Sequence, residues 1–139
     1  MTAPLRLIAQ DEEDLKVISA ALQDAVAKIG DIAFEPASRQ LTIAVNRFRW
    51  EEGRGQRVRA AVQLGCVLGV QSRNLRRDAK GAVVELLALT FEPGEAPGGV
   101  VTFAFAGGGD LRAEVECIDA ALADLSAPWP TPRTPEHTP

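Results

Sequence analysis

The side chains of this sequence best suited to chemistry are its arginines, which are concentrated in the middle of the chain. Between Arg39 and Lys80 there are ten Lys or Arg residues and three acids, a net charge of +7, while the remaining residues carry −11. A guanidinium binds carboxylates and phosphates through two parallel hydrogen bonds. The segment therefore predicts a face that binds an anion or a partner, with the candidate residues Arg47, Arg49, Arg57, Arg59, Arg73, Arg76 and Arg77.

Two interpretations of this charge asymmetry stay open. In the first, the acids of an N-terminal helix, or Glu114 and Glu116, lie over the arginines as surface ion pairs worth roughly 0–1 kcal/mol each. In the second, the face binds a phosphorylated small molecule, a lipid head group, RNA or an acidic peptide. A net charge of −4 and a pI near 5.0 disfavour a dedicated nucleic-acid module, and only Phe48 and Trp50 offer stacking.

Groups that usually perform catalysis are scarce. The single histidine, His137, lies in a Pro-rich tail, and tyrosine is absent. Cys66 and Cys117 lie in the apolar stretches LGCVLG and VECIDA, far from any CxxC or histidine, which predicts buried free thiols. Glu85 interrupts an apolar strand, where an outward register or an edge position explains it better than a site does. We therefore expect no enzyme activity, no metal and no cofactor.

Length and composition indicate one domain. The 139 residues are enough for a hydrophobic core, and the predicted domain spans 1–126. No apolar run approaches the roughly 18 residues of a membrane span, and the first residues lack the apolar centre of a signal peptide, which predicts a cytoplasmic protein. The tail 127–139 holds five prolines, so we expect it to be extended or disordered and to join neither a helix nor a sheet.

The clearest element is the strand 40–50, QLTIAVNRFRW. Leu41, Ile43 and Val45 alternate with smaller or polar residues, which places them on one face of a strand. Phe48 and Trp50 have the opposite parity. Their parity predicts either a β-bulge near Asn46 or a strand whose two faces are both covered.

Hydrophobic periodicity predicts the other elements. A helix over 12–24 follows from acids at its start and apolar residues three and four apart. Strands are expected over 5–9, over 26–34 with a kink at Gly30-Asp31, and over 57–64, 66–72, 82–91, 101–105 and 111–117. Ile118, Leu122 and Leu125 then show helical spacing, which predicts a terminal helix.

The chain resembles a family of small uncharacterised alphaproteobacterial proteins known as a domain of unknown function, DUF2948. The residues that carry the resemblance are DLKVISAALQDA (14–25), NRFRW (46–50) and VECIDAALADL (115–125). They are packing patterns, so the resemblance implies a shared domain and no site residues.

These elements favour a mainly β protein of the α+β kind. We expect an antiparallel, about seven-stranded barrel similar to pleckstrin-homology domains, with one helix on its N-terminal side and a C-terminal capping helix. The second interpretation is a half-open barrel or a sheet with helices on one side.

Such an architecture favours a non-enzymatic binding module. A protein or peptide partner would bind along an exposed strand edge or in the groove beside the terminal helix. The alternative is polyanion binding through the arginine-rich 39–80 segment. An uncovered edge at 82–91 would also allow a homodimer.

Overall fold

Antiparallel strands and one α-helix make up the computed structural model, which describes residues 4–48, 55–127 and 129–130. The helix α1 spans Glu12–Leu22, and the mainly β class is confirmed. The strands are β1 (Arg6–Ala9), β2 (Val26–Lys28), β3 (Ile32–Glu35), β4 (Gln40–Phe48), β5 (Gln56–Leu64), β6 (Val67–Arg73), β7 (Val83–Pro93), β8 (Gly99–Phe105), β9 (Asp110–Val115), β10 (Ala120–Asp124) and β11 (Trp129–Pro130).

All eleven strands belong to one open sheet. Its order is β1-β10-β5-β4-β2-β7-β8-β9-β6, with β3 added beside β4 and β11 beside β5. Within the described part of the chain, β1 and β6 each end this path and do not pair with each other. The predicted seven-stranded, pleckstrin-homology-like barrel is therefore wrong, and the alternative of a sheet with a helix packed on it is closer.

The predicted C-terminal helix is also wrong, because its residues form β10. This strand pairs with β1 on one side and β5 on the other, for example through Leu122 with Leu7 and with Val62. A spacing of four residues fits both a helix and a strand, so Ile118 and Leu122 gave an ambiguous pattern. Leu122 is buried, whereas Leu125 is 62% exposed just past the strand. Because residues 118–125 form no helix, the partner groove predicted beside a terminal helix is not present there.

Helix α1 forms where the sequence predicts it. The Asp11 side chain accepts a hydrogen bond of 2.8 Å from the Asp14 N–H and so caps the helix. Leu15, Ile18 and Leu22 are buried in the main core cluster with residues of the sheet. The helix therefore covers the sheet with its apolar stripe and ends two residues before the predicted boundary.

The hairpin of β4 and β5 is regular throughout. Its register runs without a shift from Leu41 opposite Leu64 to Phe48 opposite Arg57, so there is no bulge at Asn46. Phe48 is buried although its parity differs from that of Leu41, Ile43 and Val45. The alternative with both faces of the strand covered is therefore the correct one.

The strand β7 has neighbours on both sides. It pairs with β2 through Val83–Glu85 and with β8 through Leu86–Pro93. Beyond the residues paired with β2, helix α1 lies along this side of β7, since the Leu89 N–H donates to the Ser19 Oγ at 2.9 Å. The uncovered edge on which the predicted homodimer depended is therefore not present in β7.

One turn and one short strand complete the sheet. Gly107 and Gly108 have φ angles of 92° and 95° in the β8–β9 turn, a conformation that glycine adopts without steric cost. At the other end of the chain, Trp129 and Pro130 pair with Arg57 and Gln56 of β5. The start of the Pro-rich tail thus does join the sheet, contrary to expectation.

No helix within the described residues is long and apolar enough to cross a membrane.

Candidate functional site

Arg47 lies inside the protein rather than on an open face. Its side chain is 0% exposed, and its Nε and Nη2 donate to the two carboxylate oxygens of Asp124 at 2.8 and 2.9 Å. The same carboxylate accepts the Leu5 N–H at 2.8 Å. This ion pair joins β4 to β10 and β1, so Arg47 is a structural residue that no external anion can reach.

Arg57 and Arg59 share one face of β5, opposite in direction to Arg47. Arg57 donates to the main-chain oxygens of Asn46 and Asp24 at 3.2 and 3.4 Å. Arg59 donates to the Asn46 Oδ1 at 3.2 Å and to the Asp31 Oδ2 at 3.0 Å. Arg57 is thus engaged by β4 and by Asp24, which follows α1, whereas Arg59 is engaged by β4 and by the 3₁₀ turn Ile29–Asp31. Arg49 lies outside the described residues.

Other arginines of the segment also pair with acids from distant parts of the chain. Arg39 binds the Glu116 Oε1 at 2.6 Å, and Arg73 binds the Asp110 Oδ2 at 2.7 Å. Glu116 is one of the two acids that the sequence suggested, but the acids of α1 take no part in these pairs. The predicted arginines therefore do not converge on one face.

Arg76 and Arg77 differ from the arginines on the strands. Both are exposed in the loop 74–82 that follows β6, together with Lys80. No described acid forms an ion pair with any of the three, although Asp78 lies in the same loop. Their charges are thus available to a ligand.

The loop 74–82 has a defined position. Its second half is hydrogen bonded to the 3₁₀ turn, since the Gly30 N–H donates to the Lys80 oxygen and the Ile29 N–H donates to the Ala82 oxygen, both at 2.9 Å. Leu75 packs against the main core. A small cavity of about 40 Å³ lies under the loop, lined by Ile29, Ile32, Ser72, Leu75, Arg77, Lys80 and Leu111.

The strand β6 presents a free edge beside this loop. It pairs with β9 on one side only, and no strand of the described residues pairs with its other side. Its first N–H, that of Val67, donates to the Arg39 oxygen at 3.0 Å. A depression of about 290 Å³ lies on the outer face next to the edge, lined by Gly69, Val70, Gln71, Val100, Arg112 and Glu114.

The two cysteines form a pair that the sequence did not indicate. Cys66 and Cys117 are both partly exposed, contrary to the prediction of buried thiols. A hydrogen bond with Cys117 and burial raise the pKa of the Cys66 thiol, and the charges of Asp119 and Glu116 add to this effect. Only the pairing of β6 with β9 brings the cysteines together, so sequence spacing carries no sign of it.

Glu85 is exposed on β7, as expected for an outward register. In the described ranges, no group of three or more His, Cys, Asp or Glu side chains could hold a metal ion.

Comparison with known proteins gives one match. A family described as "Protein of unknown function (DUF2948)" matches residues 5–137. The chain belongs to the DUF2948 family. No curated protein and no solved structure matches it.

The DUF2948 match covers every element of the fold. It runs from just before β1, across the loop 74–82 and both cysteines, to the Pro-rich tail beyond β11. The free edge of β6 therefore belongs to the DUF2948 domain itself.

Proposed function

We propose that this DUF2948 protein is a non-enzymatic module that binds an extended, acidic segment of a protein partner. The segment adds an antiparallel strand to the free edge of β6, and its acids bind Arg76, Arg77 and Lys80. The observation that supports the proposal most directly is the adjacency of an unpaired strand edge and an exposed loop whose three cations have no described acidic partner.

The edge supplies the affinity of strand addition. An unpaired strand offers a row of N–H and C=O groups, and a peptide that pairs with them gains main-chain hydrogen bonds whatever its sequence. Two apolar side chains of β6 are accessible at this edge. Leu68 is 48% exposed and Val70 is half-buried, so both can contact apolar residues of the peptide. The depression beside Gly69 has room for another side chain.

The loop supplies the preference for acids. Arg76 and Arg77 follow the C-terminal end of β6, so an antiparallel peptide reaches them near its N-terminal end. Charge-assisted hydrogen bonds between guanidinium and carboxylate are about twice as strong as neutral ones. Nearby acids do not already neutralise these cations, unlike the arginines of β4 and β5.

The same pairing of arginines argues against a broad polyanion surface. Arg47 is buried with Asp124, Arg59 binds Asp31 and Arg73 binds Asp110. A nucleic acid needs several free cations along its backbone. Among the described residues of the 39–80 segment, the exposed cations without an ion-pair partner all lie in the loop 74–82. Polyanion binding is therefore the second candidate and an outcome of the test below.

The test is a fluorescence titration of the full chain with a labelled peptide of alternating Val and Glu, about ten residues long to exceed one strand. Reversal of two charges in Arg76→Glu/Arg77→Glu should weaken binding at least about tenfold, since each charge-assisted bond contributes roughly 1.5–3 kcal/mol. Arg6→Glu, on β1 at the opposite end of the sheet, is the matched control and should bind normally.

Two probes separate the alternatives. The same peptide N-methylated at alternate residues keeps its charge but loses the donors of strand pairing, so its binding should be lost. Equal binding of the methylated peptide would refute strand addition. Tight binding of single-stranded RNA with a steep salt dependence, without binding of the peptide, would refute it as well and would indicate a polyanion site. Absence of binding by every probe also refutes the proposal.

A further inference from the structure

The sheet has two halves, one made of β1, β10, β5, β4 and β2 and the other of β7, β8, β9 and β6. Two neighbouring connections carry the chain from one half to the other. Gly65 and Cys66 join β5 to β6, and residues 116–119 join β9 back to β10. The Gly65 N–H donates to the Asp119 oxygen at 2.8 Å, and the Glu116 N–H donates to the Cys66 oxygen at 3.0 Å. The two connections therefore lie side by side and are tied by main-chain hydrogen bonds.

Each connection carries one cysteine. Because Glu116 bonds to Cys66, the next residue along that connection, Cys117, lies beside Cys66. Both side chains are partly exposed. The chain contains no other cysteine.

The packing around this junction is tight. A Cβ at Gly65 would meet the Asp119 carboxylate at 2.5 Å, so the two connections approach each other as closely as their side chains permit. Cys66 has a φ of 57°, the left-handed region in which a residue with a Cβ is uncommon.

We propose that Cys66 and Cys117 are a redox-active pair that forms an intramolecular disulfide by exchange with a low-molecular-weight disulfide such as oxidised glutathione. This property is independent of the partner-binding function proposed above.

The exchange balances in two steps. One cysteine thiolate attacks a sulfur of glutathione disulfide, forms a mixed disulfide and expels one glutathione thiolate, which takes up a proton. The second cysteine, as its thiolate, then attacks the protein sulfur of the mixed disulfide and expels the second glutathione. Two protein thiols are oxidised, one glutathione disulfide is reduced, and two glutathione thiols are released.

The disulfide would fix the junction between the halves of the sheet. It would close a loop over 66–117 that contains β6, β7, β8 and β9, and a long closed loop restricts the unfolded chain strongly. For a chain of this size, a crosslink over such a loop should raise the melting temperature by roughly 5–15 °C. Disulfide formation should therefore be seen both as a covalent change and as a shift in stability.

The experiment incubates the reduced, full-length protein with oxidised glutathione, then alkylates the remaining thiols and measures the intact mass. We expect a monomer that is lighter by two hydrogens and carries no alkyl group, and a non-reducing peptide digest that joins Cys66 to Cys117. Its melting temperature should fall back when dithiothreitol is added. Stable glutathione adducts, disulfide-linked dimers or two alkylated thiols would each overturn the proposal.

Single variants provide the controls. Cys66→Ser and Cys117→Ser should each keep one thiol, end as a glutathione adduct or an alkylated monomer, and show no rise in melting temperature with oxidised glutathione. If one variant does not fold, the intact mass of the wild-type protein still decides the matter. A rise in melting temperature in either variant would show that stabilisation comes from something other than the crosslink.

Discussion

Arg47 and Asp124 combine full burial with opposite charge, at 0% and 5% side-chain exposure. Removing a charge from water costs several kcal/mol, and only the paired charge and the hydrogen bonds of the partner offset that cost. Here the carboxylate receives two guanidinium hydrogen bonds and the Leu5 N–H, which satisfies both of its oxygens. The pair thus fixes how β1, β4 and β10 lie together.

Asp124→Asn should therefore destabilise the protein strongly. The variant removes the carboxylate charge that faces the buried Arg47, and loss of one partner of a buried pair costs about 3–5 kcal/mol. Urea unfolding followed by tryptophan fluorescence measures the effect, since the chain has two tryptophans.

Glu116→Gln is the matched control for this substitution, because it breaks the exposed pair with Arg39 and should cost about 0–1 kcal/mol. Equal losses in the two variants would contradict the buried position of Arg47.

Cys66 gives a second prediction at the scale of one residue. Its thiol pKa is raised in the folded protein by the hydrogen bond with Cys117 and by burial. The folded state therefore holds the proton more tightly than the unfolded state, so this contribution to stability is present below pH 9 and is lost as the pH rises further.

Unfolding in urea between roughly pH 8 and pH 10.5 checks the sign, because this range spans the ordinary thiol pKa of 9.0. The reduced wild-type protein should lose more stability over this range than Cys66→Ser. The chain has no tyrosine to titrate in the same window, which keeps the comparison simple. A steeper loss in the serine variant would contradict the raised pKa.

Sequence reasoning was wrong about Arg47, which it placed on an open binding face. The alternation of Leu41, Ile43 and Val45 continues to Arg47 in β4, and the structure buries its side chain on that face. The partner, Asp124, is 77 residues away and becomes a neighbour only through the position of β10. The same holds for the two cysteines, because local sequence does not encode a long-range strand register.

At the scale of elements, α1 is specified by local chemistry. Asp11 accepts the Asp14 N–H, three acids follow in the first turn, and the apolar residues keep the 3.6-residue period. Each of these features can be read without knowledge of the rest of the fold. This explains why the predicted start of the helix agrees with the structure.

Asp11→Ala should lower stability by about 1 kcal/mol, because an N-terminal N–H loses its acceptor. Thermal or urea unfolding measures the loss. Glu13→Gln is the control, since the ion pair of Glu13 with Lys16 is exposed on both sides and should contribute only about 0.2–0.5 kcal/mol. If the control is as damaging as Asp11→Ala, the cap does not stabilise the helix.

The strand β10 shows where local chemistry is insufficient. The residues 118–125 are rich in alanine and leucine, which favour helices in isolation. They nevertheless form a strand, because β1 and β5 offer pairing on both sides and bury Ala120 and Leu122. Tertiary pairing outweighs a propensity of a few tenths of a kcal/mol per residue.

A pair of alanine substitutions distinguishes the strand from the helix. Leu122→Ala should cost about 2–5 kcal/mol through the cavity it leaves. Leu125→Ala should change stability by no more than about 0.5 kcal/mol, since Leu125 is exposed past the strand end. A terminal helix would bury both leucines, so equal losses in urea unfolding would contradict the strand.

At the scale of the whole molecule, the charge asymmetry of the sequence reflects how the chain folds back on itself. Arg39, Arg47, Arg59 and Arg73 pair with acids that lie before or after the middle segment: Glu116, Asp124, Asp31 and Asp110. The excess of arginine therefore joins the middle strands to the outer ones. Within the described part of the middle segment, the loop 74–82 keeps a local surplus of positive charge, which sequence alone could not separate from the rest.

The open sheet should show a pattern of amide hydrogen exchange that a closed barrel would not show. Strands with neighbours on both sides, such as β4, β5, β8 and β9, should hold their amide hydrogens longest in hydrogen exchange, because main-chain pairing protects them from both sides. In β6, the row of N–H groups that faces β9 should exchange slowly and the row that faces away should exchange quickly, apart from Val67, which bonds to Arg39.

Exchange measured by NMR resolves these alternate residues. Uniform protection along β6 in the free protein would mean that the sheet is closed, and the proposed docking edge would then not exist. Addition of the Val/Glu peptide should slow the fast row in β6 and leave β1 unchanged, although β1 is also an edge. The reason is that, of these two edge strands, β6 alone is followed by a loop with unpaired cations, so equal protection of both edges would indicate strand pairing without the preference for acids.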